Sequence, residues 1–327
     1  MSLNERIVCV VVTHDRPECL EHALRNVLAQ TRRPDRVIVV DNGSKPQTRS
    51  AAAKFPEVRH VASQRNLGGA GGFALAIMLA MAEGADWIWT MDDDGFPATP
   101  TCLAGLCEAA REHKATVVGP MILDDRDGTK LAFPFRVGTR YRFSVAEVED
   151  AQVFPGLAYL FNGILFHASV FERVGLPDIR LFFRGDELDL LARMRISGEP
   201  IVTTTLARFC HPASTAEIHP FMSGLAHAVV PETPIKQFYL FRNRGYIFLR
   251  RRMLGYFLGD FLRYGWFFLI HRKGDLQGFS HWARSTLAGA SGRLRPYVPP
   301  ADGLELQKQA PAGRPRSSSE TVGTPLP

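Results

Sequence analysis

Residues Ile7–Val12 (IVCVVV) are continuously apolar and β-branched, the pattern of a strand buried on both faces. Thr13-His14-Asp15-Arg16-Pro17 interrupts the run, and Pro17 stands where a helix begins. Leu20, Ala23, Leu24, Val27 and Leu28 then follow at helical spacing over 18–29. The pattern repeats. Arg36–Val40 predicts a second buried strand ending at the turn Asp41-Asn42-Gly43, and Val58–Ala62 a third. A helix over 70–82, a strand over Trp87–Met91, a helix over 99–113 and a strand over Ala115–Gly119 complete the first half. Strand and helix alternating at this spacing predict an α/β fold, a mostly parallel sheet flanked by crossover helices. Ligands of such sheets bind beyond the carboxyl ends of the strands. Thr13, Asp41, Arg65 and Asp92 all fall at those ends.

The middle of the chain is less regular. Leu157–Phe166 is apolar around Asn162-Gly163, Arg184–Gly198 reads as a charged loop entering a helix, and Ile201–Phe209 reads as a strand ending at Cys210-His211-Pro212. From about Thr233 the pattern is helical. Residues 299–327 hold six prolines and no aromatic residue, which predicts a disordered tail. The expected division is therefore a sheet domain over 1–232, a helical region over 233–298 and a tail over 299–327.

Charge changes the picture in one place. Residues 234–273 carry nine Lys or Arg against one acid, Asp260, a local charge of +8 in a chain of net charge +6. The same segment holds 12 of the 33 aromatic residues. Basic and aromatic residues together favour a bilayer face over nucleic acid, for which no recognition motif is present. The longest apolar run, residues 253–270, just reaches spanning length but contains Asp260 and Arg263, so it is expected to lie flat at the interface. Packing on the sheet domain or on a second subunit is the alternative. Five cysteines without a CxxC spacing argue against a disulfide scaffold or a zinc site. The first residues lack a signal-peptide core, so a cytosolic chain is expected.

Three stretches carry candidate chemistry. Asp92-Asp93-Asp94 follows a buried strand; in an extended segment Asp92 and Asp94 point the same way and can face one hard cation such as Mg²⁺ or Mn²⁺. An exposed acidic turn is the plainer explanation. Arg65-Asn66-Leu67-Gly68-Gly69-Ala70-Gly71-Gly72 opens a helix whose N–H groups can approach an anion, although glycines also permit close packing. Asp186-Glu187 and Asp189 begin another helix, as dipole-favoured residues or as a general base. His211 taken alone is more readily an ordinary structural histidine than a ligand.

Taken together, these motifs resemble a family 2 glycosyltransferase of the GT-A fold. The strings Asn66–Phe73, Leu131-Ala132-Phe133-Pro134, Arg184–Glu187 and Phe241-Arg242-Asn243-Arg244-Gly245-Tyr246 are similar, within it, to the initiating galactofuranosyltransferases of mycobacterial-type cell-wall galactan synthesis. The similarity runs over roughly 6–290. It implies a donor site for UDP-galactofuranose made by Thr13, Arg16, Asp41, Arg65, Asn66, Asp92 and Asp93. It further implies a divalent cation (Mn²⁺ or Mg²⁺) on Asp92, Asp94 and His211, and an acceptor side lined by Asn162, Gly163 and Arg184. The base of such enzymes is usually the second acid of a Glu-Asp or Asp-Asp pair. Here Glu187 aligns with it and Asp186 with its neighbour, a departure by one methylene. The implied acceptor is a polyprenyl-diphosphate-linked GlcNAc-rhamnose glycolipid at the cytoplasmic face of the membrane, with the enzyme peripheral. A rhamnosyltransferase using dTDP-rhamnose, and a catalytically silent binding module on the same fold, are the competing expectations.

Overall fold

Every residue of Ile7–Thr13 is buried, and alternate side chains enter two different cores. Ile7, Cys9 and Val11 pack with the helix Pro17–Leu28, while Val8, Val10 and Val12 pack with the helix Gly68–Ala82 on the other face. A sheet covered by helices on both sides follows from that one strand.

The computed structural model describes residues 5–43, 45–137, 140–213, 217–223 and 226–299. The strands among them are β1 (Ile7–Thr13), β2 (Arg36–Asp41), β3 (Val58–Ala62), β4 (Trp87–Asp92), β5 (Phe96–Pro97), β6 (Val117–Asp124) and β7 (Lys130–Val137). They continue as β8 (Arg140–Ser144), β9 (Val153–Pro155), β10 (Asn162–His167), β11 (Ile201–His211), β12 (Ile218–Phe221) and β13 (Ala226–Val229). The helices are α1 (Pro17–Leu28), α2 (Pro46–Ala52), α3 (Gly68–Ala82), α4 (Cys102–Glu112) and α5 (Ser169–Val174). After them come α6 (Asp186–Ile196), α7 (Pro234–Arg250), α8 (Leu254–Trp266) and α9 (Leu276–Ala290).

The main sheet runs β3-β2-β1-β4-β10-β6-β11-β5, with β7, β8 and β9 attached at its side. Strands β1 to β4 are parallel, as the alternation predicts. The next neighbour is not. Instead of β6 continuing the parallel order, β10 inserts between β4 and β6 and runs antiparallel to both. Hydrophobic periodicity identifies a buried strand but not its direction, so Leu157–Phe166 reads only as apolar. Helix α2 and the hairpin β7–β8 also lie outside the sequence expectation.

The chain divides into two compact units, Met1–Arg295 and Pro296–Pro327, and all that follows concerns the first. Apart from Pro299, the expected tail 299–327 lies outside the described residues. Helices α7 and α9 approach closely because Gly245 meets the Thr286 carbonyl and Gly289 the Arg242 carbonyl; a Cβ at either place would collide with backbone. The run 253–270 is not one helix. It is α8 followed by a wider π-type turn, Phe267–His271, with Tyr264, Phe267, Phe268 and Trp282 forming the core beneath. Among the described residues no helix is long and apolar enough to cross a membrane.

Candidate active site

The carboxyl ends of β1, β2 and β4 lie in register, Thr13 beside Asp41 and Val12 beside Asp92. The chain leaves β4 through Asp93, whose N–H donates to the Val12 carbonyl at 3.1 Å. That turn buries Asp93 under β1, where the Thr13 hydroxyl donates to its carboxylate at 2.6 Å. Arg16, at the entry to α1, pairs with Asp93 and donates to Asp94 Oδ2 at 2.5 Å. A cation is thus built into the acidic turn.

Beyond this turn opens a cavity of about 600 Å³. Asp92, Asp94, Arg16 and His211 line it together with Asp186, Glu187, Arg184 and Asn162. Phe73, Phe133, Tyr159 and Phe161 add apolar walls. The β10 bulge exposes Asn162. Gly163, by contrast, does not line the cavity: it turns with φ +73° against the Phe209 ring and receives the Trp89 indole N–H at 2.9 Å. Its part is to make the bulge.

The donor-side residues are divided. Thr13 and Asp93 lie beneath the cavity floor, and Asp41 is fully buried, accepting from the Gly43 N–H at 2.9 Å with the His60 ring 3.3 Å away. Arg65 and Asn66 are exposed beside α3; Asn66 Oδ1 accepts from the Gly68 N–H at 2.8 Å. Of the expected donor residues, Arg16 and Asp92 line the cavity.

The carboxyls differ sharply in proton affinity. Burial, reinforced by Asp94 and Asp93, pushes Asp92 up to about 8. Burial likewise raises Asp93 to about 6 against the pull of Arg16. For Asp94 burial is outweighed by His211 and Arg16, which hold it well below the usual carboxylate range. Asp186 is raised well above its ordinary value by burial and by the charge and hydrogen bond of Glu187. The pair therefore differs in environment: Asp186 is buried, whereas Glu187 is exposed. Glu187 Oε2 accepts from the Gly185 N–H at 3.1 Å.

Whether the cavity suits a divalent cation rests on its donor set. His211 Nδ1 faces the Pro212 carbonyl at 2.8 Å, so that nitrogen carries the proton and Nε2 keeps its lone pair in the neutral ring. Nε2 stands 3.4 Å from Asp94 Oδ1, an oxygen that is buried without a hydrogen-bond partner. Two carboxylates, one of them with an orphaned oxygen, and an imidazole nitrogen suit Mn²⁺ or Mg²⁺ in kind. They do not converge, however: among the described residues no three His, Cys, Asp or Glu side chains form a metal-holding group.

Residues 8–170 match the model of glycosyl transferase family 2. The chain is 41% identical over 302 residues to galactofuranosyltransferase GlfT1 of Mycolicibacterium smegmatis, covering 90% of this chain and all of that relative. The chain belongs to glycosyl transferase family 2. It is a glycosyltransferase, and its fold is GT-A. Two solved structures share that fold. One is S. aureus TarS 1-349 in complex with UDP-GlcNAc, with TM-score 0.56, 14% identity, and 88% of this chain and 82% of that one covered. The other is GalNAc-T7 with UDP, GalNAc and Mn²⁺, with TM-score 0.50, 13% identity, and 77% and 51% covered. Within this glycosyltransferase the sequence reading overlooks the aromatic walls and Lys236, which also lines the cavity. Phe133 lies in a string noted for its resemblance; Tyr159 and Phe161 carry no signal apart from their apolar run.

Proposed function

We propose that this chain is an inverting, metal-dependent galactofuranosyltransferase. It transfers galactofuranose from UDP-galactofuranose to a polyprenyl-diphosphate-linked GlcNAc-rhamnose acceptor in cell-wall galactan synthesis. The observation that carries the reading is the 41% identity to a galactofuranosyltransferase across that relative's full length. A cavity joining an acidic turn to a second acid pair supports it.

Glu187 accepts the proton of the acceptor hydroxyl. It is exposed, while Asp186 beside it is buried and shifted toward its protonated form, so the pair offers one base rather than two competing charges. As the hydroxyl oxygen bonds to the anomeric carbon, the bond from that carbon to the diphosphate breaks, and UDP departs with the bonding pair. One base suffices for this single displacement, which inverts the carbon. The uridine lies along the edge outside the cavity, toward Thr13, Asp41, Arg65 and Asn66. Arg16 keeps Asp93 and Asp94 paired and in place. Asp92, Asp94 and His211 Nε2 would hold Mn²⁺ or Mg²⁺; when bound, such an ion supplies positive charge against the leaving diphosphate. Asn162 and Arg184 face the acceptor.

The acceptor's lipid fits the helical layer. On α8 and the turn after it, Leu254, Leu258, Leu262, Trp266 and Ile270 recur every fourth residue and are exposed, Leu262 at 77%. Exposed Arg250, Arg252, Arg272 and Lys273 flank this stripe. An apolar ridge bordered by cations matches an anionic bilayer, and the enzyme works as a peripheral protein on its cytoplasmic face. Arg251 is no part of that surface, because it is half-buried and bonded to Asp189.

Calorimetry with Mn²⁺ tests the nucleotide. UDP should bind and dTDP should not displace it, and EDTA or Asp94→Ala should weaken UDP binding. Preference for dTDP would favour a rhamnosyltransferase instead, and UDP affinity indifferent to both treatments would remove the metal.

A further inference from the structure

The five backbone carbonyls of residues 180–184, just before the acid pair, are all hydrogen-bonded, and by elements far apart in the chain. Arg242 Nη2 donates to the carbonyls of Arg180 and Leu181, both at 3.0 Å. Asn243 Nδ2 meets those of Leu181, Phe183 and Arg184 at 2.9, 3.0 and 2.8 Å. The remaining one, Phe182, accepts from the Ala70 N–H at 3.0 Å, at the glycine-rich start of α3. This strap is conformationally costly. Phe182 and Arg184 sit at φ +68° and +66°, a left-handed region unfavourable to both, before Gly185 at +118°.

Arg242 is itself an expensive choice. It is 1% exposed and has no carboxylate at ion-pair distance among the described residues. Its charge is met by carbonyls, by Asn243 Oδ1 at 2.6 Å and by the Tyr239 ring at 4.6 Å. A buried guanidinium without a counter-ion destabilises the fold unless its N–H groups are satisfied. Here two adjacent residues of α7 direct the Arg242 Nη2 and the Asn243 amide nitrogen to one short strap, while Arg242 Nε bonds Asn243 Oδ1 and Nη1 the Arg295 carbonyl. That strap ends at Gly185, whose N–H holds Glu187.

We propose that Arg242 and Asn243 are positioning residues for transfer: by fixing the left-handed strap 180–184 they aim Glu187 at the acceptor. The proposal rests on the reading of Asp186-Glu187 as the base pair. It gives the Phe241–Tyr246 string a task on the reaction side of the molecule, and it makes helix α7 a wall of the site.

The test uses the full chain, a short soluble acceptor analogue and UDP-galactofuranose, with kcat expressed per folded molecule. Asn243→Ala should lower kcat by about tenfold or more, the cost of a small misplacement of a reacting group, while the donor KM and UDP affinity stay within about twofold. Asp260→Asn serves as control, since it disturbs a buried charge beside α7 that does not touch the strap. It should lower the melting temperature and leave kcat unchanged. The proposal is overturned if Asn243→Ala keeps kcat within about twofold of wild type, or if Asp260→Asn loses as much kcat. If Asn243→Ala does not fold, Arg242→Lys is judged by the same criteria. If neither folds, hydrogen exchange of the wild-type chain decides: the amides of Leu181, Phe182 and Phe183, which bond the carbonyls of Asp178, Ile179 and Leu181, should be as protected as those of α7, and faster exchange overturns the proposal. Full kcat in both Glu187→Gln and Asp186→Asn would instead defeat the base reading beneath it.

Discussion

The rim of the parallel strands and the C-terminal helices both bury charge, and they do so in opposite ways. At the rim, three consecutive aspartates crowd one arginine, one carboxyl oxygen of Asp94 has no hydrogen-bond partner, and Asp92 is pushed up to about 8. In the helices Arg242 is met by backbone carbonyls, and its charged neighbours are matched by carboxylates. Arg244 grips Asp260 through two bonds of 2.7 and 2.8 Å, Arg263 adds a third, and Arg251 and Arg193 share Asp189. The same residue types serve two purposes. Charge left unsatisfied awaits a ligand, whereas satisfied charge fixes where helices sit.

On that contrast, substitutions at the rim should cost activity and those at the carboxylate-matched charges of the helices should cost stability. The largest effect is expected at Asp94. EDTA should abolish transfer, Mn²⁺ or Mg²⁺ should restore it, and Asp94→Ala should reduce turnover by about 10³-fold with the melting temperature unchanged. Glu187→Gln keeps shape but removes the proton acceptor, so kcat should fall by about 10²-fold or more while UDP binding is retained. An active Glu187→Gln beside an inactive Asp186→Asn would move the base by one residue. The pH profile sharpens the same point. Burial and the charge of Glu187 raise Asp186 well above the ordinary aspartate value, and transfer uses Asp186 in its protonated form. Activity should therefore be lost as pH rises through that raised value, whereas activity that appears only above it would make Asp186 the base.

In the helices the sign of the experiment reverses. Asp260→Ala leaves Arg244 buried without its partner and should cost about 3–5 kcal/mol of stability, read by denaturant melts, with kcat per folded molecule unchanged. The smallest effect belongs to the surface. Replacing Arg250 and Arg252 by Ser should weaken binding to anionic vesicles by up to about 1 kcal/mol per charge, less as salt rises. Transfer to a lipid-linked acceptor should suffer more than transfer to a soluble one. Equal behaviour toward both would separate the apolar stripe from the membrane.

Much of the rim is legible in the sequence because each of its residues follows a buried strand. Ile7–Val12 and Trp87–Met91 announce themselves by composition, and Thr13 and Asp92 are simply what comes next. The triple aspartate and the pair that opens α6 stand out as charge beside apolar runs. The hidden parts depend on distant contacts. Nothing in Leu157–Phe166 reveals that β10 runs antiparallel, or that Gly163 supports the bulge while Asn162 faces the cavity. The basic stretch 234–273 suggests one surface, yet Arg242, Arg244 and Arg251 turn inward to carbonyls, Asp260 and Asp189. Net charge counts such arginines without showing which way they point.

The central claim is that this cavity transfers galactofuranose to a glycolipid. The most direct measurement incubates the purified chain with UDP-galactofuranose, Mn²⁺ and a short lipid-linked GlcNAc-rhamnose analogue, then determines product mass and linkage. An acceptor enlarged by one or two galactofuranose residues through inverted linkages is expected, with Glu187→Gln forming product about 10²-fold more slowly or worse. Rhamnose transferred from dTDP-rhamnose, a retained anomeric configuration, or no transfer by a folded, UDP-binding chain would contradict it.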